Sequence, residues 1–214
     1  MPEISSKNKL DTLILKLLKI SDKQWIDYQF QRELLAGKLS KSEQQEWGEV
    51  ARKSGEILAE TISRQYDTRN IHALCQRFDV AISYGEKPWL NDRLTLATYD
   101  EKTGICLMAE AIQKFEQTTI TALPLEQVTA LILAHELYHH LETLDPTLYT
   151  QQKKIELWRF FGYRHQSKIR ALSEIAAMSF SKTLNRVGFS PYVLEIAMVW
   201  PYDSQLCEWL VQSV

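Results

Sequence analysis

The sequence predicts an α+β fold: mostly helical, with a small antiparallel β-sheet packed beside one histidine-bearing helix, and a helical annex at the N-terminus. Three observations carry this. Apolar residues recur at helical spacing through the first 65 positions. Three short stretches between about residues 79 and 110 are rich in strand-forming residues. A strongly apolar segment then runs from Leu125 to about Leu144, with proline in front of it and Asp145-Pro146 behind.

The annex, residues 1–66, opens with Leu10, Leu13, Ile14, Leu17 and Leu18 at helical spacing between lysines. A second helix from about Asp22 is expected to end near Gly37, a residue type that favours helix C-termini. Ser40-Lys-Ser-Glu43 then has the spacing of a capping box, and Trp47, Val50, Ser54, Ile57 and Leu58 fall on one face of the long helix that follows.

Residues 67–214 form the second region. Asn70 is placed to cap a short helix, IHALCQRF, and the stretches DVAIS, RLTLATYD and GICLMAE read as strands. The last two are joined by Glu101-Lys-Thr-Gly104, a hairpin turn ending in glycine, so an antiparallel sheet of about three strands is expected. Pro124 suits the first turn of the apolar helix, and Asp145-Pro146 stops it. Residues 151–186 read as one or two further helices, broken near Gly162 and ended by Gly188. Ser190-Pro191 opens another, and a last helix spans roughly Ser204 to Val211.

Composition narrows the function. The 25 Lys and Arg against 27 Asp and Glu leave a formal charge of −2, which provides no broad basic surface for nucleic acid or anionic lipid; any such partner would need a local patch. The opening MPEISSKNKL lacks the features of a signal peptide, and no uncharged run approaches the ~20 residues of a membrane span, so a cytoplasmic protein without membrane or direct nucleic-acid partners is expected. The odd, widely spaced cysteines, Cys75, Cys106 and Cys207, sit among apolar neighbours and read as core residues, not a disulfide framework or thiolate metal cluster.

Within the apolar helix lies AHELYHH, residues 134–140. Residues four apart on a helix lie one above the other, so His135 and His139 direct two imidazoles at one point, as a zinc ion requires. Glu136 is rotated by about 100° from His135, which places its carboxylate beside the metal, where a general base for water belongs. In so apolar a helix, two histidines and a glutamate are costly unless something satisfies them. A third ligand must come from elsewhere, and there are two candidates. Glu174 lies in SEIAAMSFSKTL, on a later helix whose Ala176 and Ala177 allow close packing. Asp145 lies six residues after His139, the spacing of the zinc-binding pattern HExxHxxGxxH or its Asp variant, but Glu142 occupies the position where that pattern has its glycine, and Asp145 more naturally closes the helix.

The order of elements, a short helix and small sheet, then LILAHELYHH, then EIAAMSFSKTL, resembles the ImmA/IrrE family of small intracellular zinc metallopeptidases over roughly residues 70–187. In that family a later helix supplies the third ligand from a pattern close to E-x-x-A-x-x-F-A. Glu174, Ala177 and Phe180 match it, with Ser181 in place of the final alanine. The resemblance implies His135, His139 and Glu174 as zinc ligands and Glu136 as general base. Tyr138 stands where members commonly have glycine and, on this reading, narrows the cleft beside the metal.

Tyr163, His165 and Arg170, between the two motifs, are candidates for oxyanion or substrate contacts. His140 points away from the metal, and His72 reads as structural. The basic aromatic run from Lys153 to Arg170 suits either a solvated face or an acidic partner segment, and a strand edge above the metal would suit an extended substrate. The expectation is a Zn2+-dependent peptidase acting on a peptide or protein substrate. The alternative is a non-catalytic regulatory or protein-binding domain that retains a zincin-like metal site.

Overall fold

A computed structural model describes residues 2–90, 93–118, 120 and 122–214. Helix α1 (Pro2–Leu17) buries Leu10, Ile14 and Leu17, a stripe at spacings of three and four. Helix α2 (Asp22–Gln31) starts at a capping box made by Ser21 and Gln24. It ends well before Gly37, which lies instead in a 3-10 turn, Ala36–Lys38. The reason is Glu33, whose carboxylate accepts the Leu35 N–H at 2.9 Å and turns the chain early.

Helix α3 (Lys41–Gln65) begins at the Ser40–Glu43 capping box. Its buried face is not the one its large apolar residues suggest: Val50 and Ile57 are 41% and 66% exposed, while Gln44, Gly48, Ala51, Gly55 and Ala59 are buried. Small residues face inward because helix α8 (Arg170–Leu184) runs so close that a Cβ on Gly55 would lie 2.1 Å from the Ala176 carbonyl oxygen. Backbone approach, not side-chain bulk, selects this face.

Helix α4 (Ile71–Arg77) is capped by Asn70, whose side chain accepts the Ala73 N–H at 3.0 Å. Strand β1 (Ile82–Gly85) follows, then the two-residue antiparallel pair β2 (Trp89–Leu90) and β3 (Arg93–Leu94), then β4 (Ala97–Asp100) and β5 (Gly104–Met108). β4 and β5 form the expected antiparallel hairpin. Asp100 accepts the N–H groups of Lys102 and Thr103 in its turn, and Gly104 supplies a φ of 82°. The sheet order is β1-β5-β4, however, with β1 parallel to β5, so the sheet is mixed and not wholly antiparallel. The chain leaves β1, passes through β2 and β3, and enters on the far side as β4, which leaves β1 on the other edge of β5.

Helix α5 (Ala109–Glu116) follows β5 directly, without a side-chain cap. Helix α6 (Leu125–Leu144) ends at Asp145 as its proline and aspartate suggest, and the sheet packs along it through β4 and β5. A short helix, α7 (Tyr149–Gln152), leads not to a helix but to a hairpin, β6 (Lys154–Phe160) and β7 (Tyr163–Lys168), turning at Phe161-Gly162. The helical reading of 151–186 is therefore corrected: beyond the end of α7 only α8 is helical in that stretch, and 154–168 form the hairpin. α8 itself stops at Leu184, before Gly188, where the Asn185 side chain donates to the Ser181 carbonyl at 2.9 Å. Helices α9 (Tyr192–Ala197) and α10 (Ser204–Gln212) lie where expected.

One hydrophobic core joins Leu10, Trp25 and Ala51 of the N-terminal helices to Leu137 of α6 and Phe180 of α8. α8 lies between α3 and α6, so the two helices that bear the candidate ligands are central. Cys75 and Cys207 are buried, Cys106 is half-buried, and all three are free thiols. Among the described residues no helix is long and apolar enough to cross a membrane.

Candidate metal centre

α6 presents His135 and His139 on one face because they are one turn apart, and their Nε2 atoms lie 3.1 Å from each other. α8 brings Glu174 to the same point: its Oε2 lies 3.3 Å from His135 Nε2 and 3.9 Å from His139 Nε2. The two helices can approach this closely because Ala176 and Ala177 are small and because the buried Ser181 hydroxyl donates to the Leu131 carbonyl at 2.7 Å. His135, His139 and Glu174 thus form a group able to hold a metal ion.

The geometry fits zinc. Tetrahedral bonds of about 2.0–2.1 Å place neighbouring ligand atoms roughly 3.3 Å apart, which two of the separations match and the third, 3.9 Å, exceeds. Two neutral imidazoles and one carboxylate also form a donor set that zinc accepts. The three side chains are 14%, 21% and 17% exposed, so the cluster is mostly enclosed by protein but not sealed from solvent. Among the described residues no fourth His, Cys, Asp or Glu joins the group.

The charges within the cluster are strongly coupled. Burial works to lower the His135 pKa, but the Glu174 hydrogen bond and the carboxylates of Glu136, Glu174 and Glu195 outweigh it and lift the imidazole to about 9. Burial works to raise the Glu174 pKa, but His135, followed by His139 and Arg170, outweighs it and holds the carboxyl at about 2. Proton and metal therefore compete for the same atoms.

Glu136 is half-buried and has no hydrogen bond or ion pair among the described residues. Its charge nevertheless acts on His135.

The rest of the surround was not evident from the sequence. Glu142 is buried, and its Oε2 accepts the Ser173 hydroxyl at 2.6 Å and faces His139 Nδ1 at 3.6 Å; the Ser173 Oγ itself lies 3.4 Å from that nitrogen. Burial works to raise the Glu142 pKa, but hydrogen bonds from His139, Ser173 and Thr150 leave it lower than usual. A ligating histidine normally has such a partner on its other nitrogen. His135 Nδ1 is buried without a hydrogen-bond partner among the described residues. Glu195 of α9, whose charge also acts on His135, is anchored by Arg32 Nη1 at 2.8 Å and raised in pKa, first by burial. The i,i+3 spacing on α6 is a signal that could have found Glu142 beside His139, whereas Ser173 and Arg32 come from other elements and no local spacing reveals them.

Of the two candidates for a third ligand, Glu174 joins the group and Asp145 does not; Asp145 accepts the Thr147 N–H at 2.8 Å and finishes α6, as its place before Pro146 suggests. Tyr138 does not line a cleft: it is fully buried against Phe180, and its hydroxyl lies 3.0 Å from Thr150 Oγ1. Tyr163 and His165, candidates for substrate contacts, stand exposed on β7 with their rings against Trp158. Arg170 does reach the site, its Nε donating to Glu174 Oε1 at 3.2 Å from a largely exposed side chain. His140 faces away from the metal group and bonds the Tyr99 hydroxyl at 2.8 Å, fastening β4 to α6; burial lowers its pKa. His72 is exposed.

Comparisons with protein-family models, with curated proteins and with solved structures found no match.

Proposed function

We propose that this chain is a zinc-dependent peptidase that hydrolyses a peptide bond of a protein substrate. The observation that carries the proposal is the triangle of His135 Nε2, His139 Nε2 and Glu174 Oε2, 3.1, 3.3 and 3.9 Å on its sides, next along α6 to Glu136, whose charge acts on His135. His135, His139 and Glu174 would hold the metal. Zinc in that position would polarise a peptide carbonyl and make water more acidic near neutral pH.

The protein's own groups supply the proton traffic. Glu136 would take a proton from the attacking water as its oxygen bonds to the carbonyl carbon, then deliver that proton to the leaving amine as the C–N bond breaks. Arg170, held at Glu174 but largely exposed, is the cation placed to face an oxyanion or a substrate carboxylate. Glu142 and Ser173 fix the His139 ring. Kinship with the ImmA/IrrE peptidases is part of this proposal, and it rests on the two motifs and their order.

The test uses purified full-length chain, metal analysis and an unfolded protein such as casein as substrate. One zinc per chain is expected, along with hydrolysis that a chelator abolishes. Glu136→Gln should keep its zinc but lose activity by about 10²–10⁴-fold, the usual weight of general acid–base catalysis. A zinc-loaded protein whose turnover is the same with and without Glu136 would sink the peptidase mechanism. Zinc without any turnover would favour a non-catalytic binding domain.

A further inference from the structure

The β6–β7 hairpin lies outside the metal group. Its register pairs Phe160 with Tyr163, Arg159 with Arg164, and Trp158 with His165. Side chains alternate across a strand, so Trp158, Phe160, Tyr163 and His165 share one face and the two arginines share the other. Neither face is covered: Trp158, Phe160 and Tyr163 are 51%, 65% and 63% exposed, and Phe161 at the tip is 93% exposed. The rings contact chiefly one another, Trp158 stacking on His165 at 5.4 Å and Phe160 meeting Phe161 edge-on at 4.5 Å.

The turn sharpens the point. Phe161 has φ 44° and Gly162 φ 83°, the left-handed pair that a two-residue hairpin turn requires. Asparagine, aspartate or glycine fills the first position at least cost, whereas a bulky aromatic is disfavoured there. The chain therefore holds an almost fully exposed phenyl ring in an unfavourable backbone conformation, and neither folding nor solubility gains from it.

Charge completes the pattern. Lys154, Arg159, Arg164 and Lys168 face a single hairpin carboxylate, Glu156, in a chain whose formal charge is −2, so the positive charge is concentrated here against a more acidic remainder. This is the local patch that an anionic partner would need.

We propose that this hairpin is a membrane-docking element that inserts its aromatic tip into the headgroup region of an anionic lipid bilayer. The order of groups along its axis fits that occupant. Phe160, Phe161 and Tyr163 lie at the tip, the Arg159/Arg164 pair one residue behind, and the Lys154/Lys168 pair at the base, about 20 Å back at ~3.4 Å per residue. Aromatic rings favour the membrane interface, and cations behind them meet the phosphates. A bilayer surrounds the tip and so engages both faces at once. A second copy of the chain would set like charges against each other. Single-stranded nucleic acid needs cations beside its stacking platform, whereas both arginines lie on the face opposite the rings. The proposal is independent of the metal reading.

The experiment is co-sedimentation of the full chain with vesicles of mixed phosphatidylglycerol and phosphatidylcholine, and with pure phosphatidylcholine vesicles. Binding to the anionic vesicles is expected, falling by about tenfold or more on pure phosphatidylcholine and between about 50 and 500 mM salt. The double variants Phe160→Ser/Phe161→Ser and Arg159→Gln/Arg164→Gln should each lose about tenfold or more of that binding while keeping their melting temperature. As a second readout, brominated lipids should quench tryptophan emission in the native chain and do so less in Trp158→Phe. The proposal is overturned if anionic vesicles do not bind, if both double variants bind them as the native chain does, or if the variants instead lose binding to an oligo-dT or a poly-glutamate probe while vesicle binding is unchanged.

Discussion

At the residue scale, the two candidate histidine ligands are not equivalent. His139 has Glu142 and Ser173 at its Nδ1, whereas His135 Nδ1 is buried without a partner among the described residues. Partners of this kind set the tautomer and orientation of a ligating ring, and removing one costs about 10–100-fold in metal affinity. Glu142→Gln and Ser173→Ala should therefore each weaken zinc binding by about 10–100-fold in competition with a chromophoric chelator. Asp145→Asn should leave it unchanged, because that carboxylate serves the end of α6. An effect of Asp145→Asn equal to that of Glu142→Gln would show the ligand assignment to be wrong. The sequence made His135, Glu136 and His139 legible because one helix and one spacing relate them. Glu142 was legible only as a non-glycine. Its role depends on Ser173, which no local periodicity brings to it.

At the element scale, close packing of α3 on α8 is the contact that seats Glu174. A Cβ at Gly55 would meet the Ala176 carbonyl oxygen at 2.1 Å and the Phe180 nitrogen at 3.0 Å, both backbone atoms that cannot rotate away. Gly55→Ala should thus destabilise the fold by about 1–3 kcal/mol or more, as overpacking does, and weaken zinc binding as α8 shifts. Gly37→Ala, with nothing within 4 Å of the added atom, should be neutral or stabilising by up to about 1 kcal/mol. Chemical denaturation of the two variants checks the contrast, and an undisturbed Gly55→Ala would mean the helices are farther apart. This packing also explains why elements were unequally legible. α6, with proline before it and Asp145-Pro146 after it, was clear, as were the capping boxes. The buried face of α3 was misread because hydrophobicity counts Val50 and Ile57 and overlooks Gly48 and Gly55. β6–β7 read as helix because Phe161 occupies the turn position where asparagine would have signalled a hairpin. The parallel pairing of β1 with β5 depends on a crossover that no short stretch encodes.

At the scale of the whole molecule, the metal group is part of the stability of a core that runs from α1 to α10. Glu33 of the N-terminal region accepts the Ala171 N–H at 2.9 Å, capping the helix that carries Glu174, and Arg32 anchors Glu195. Anything that acts on the cluster is therefore read out in global unfolding. In the metal-free chain Glu174 is lowered from 4.5 to about 2, so its contribution is present above pH 4.5 and lost as pH falls towards 2. His135 is raised from 6.5 to about 9, so its contribution is complete below pH 6.5 and lost as pH rises through 9. The ion pair thus supports the metal-free fold most fully between pH 4.5 and 6.5. Zinc must displace the His135 proton, so zinc uptake at neutral pH should release about one proton per chain from this group. Its affinity should rise about tenfold per pH unit until the imidazole is neutral near pH 9. The rise in melting temperature on adding zinc should accordingly grow from pH 6 to 9 while the melting temperature of the metal-free chain falls over the upper part of that range. Thermal melts with zinc and with a chelator, together with an indicator-dye titration in weak buffer, measure both quantities. Zinc uptake without proton release at pH 7 would mean that His135 is already neutral there, and that its contact with Glu174 is not the ion pair that stabilises the metal-free chain.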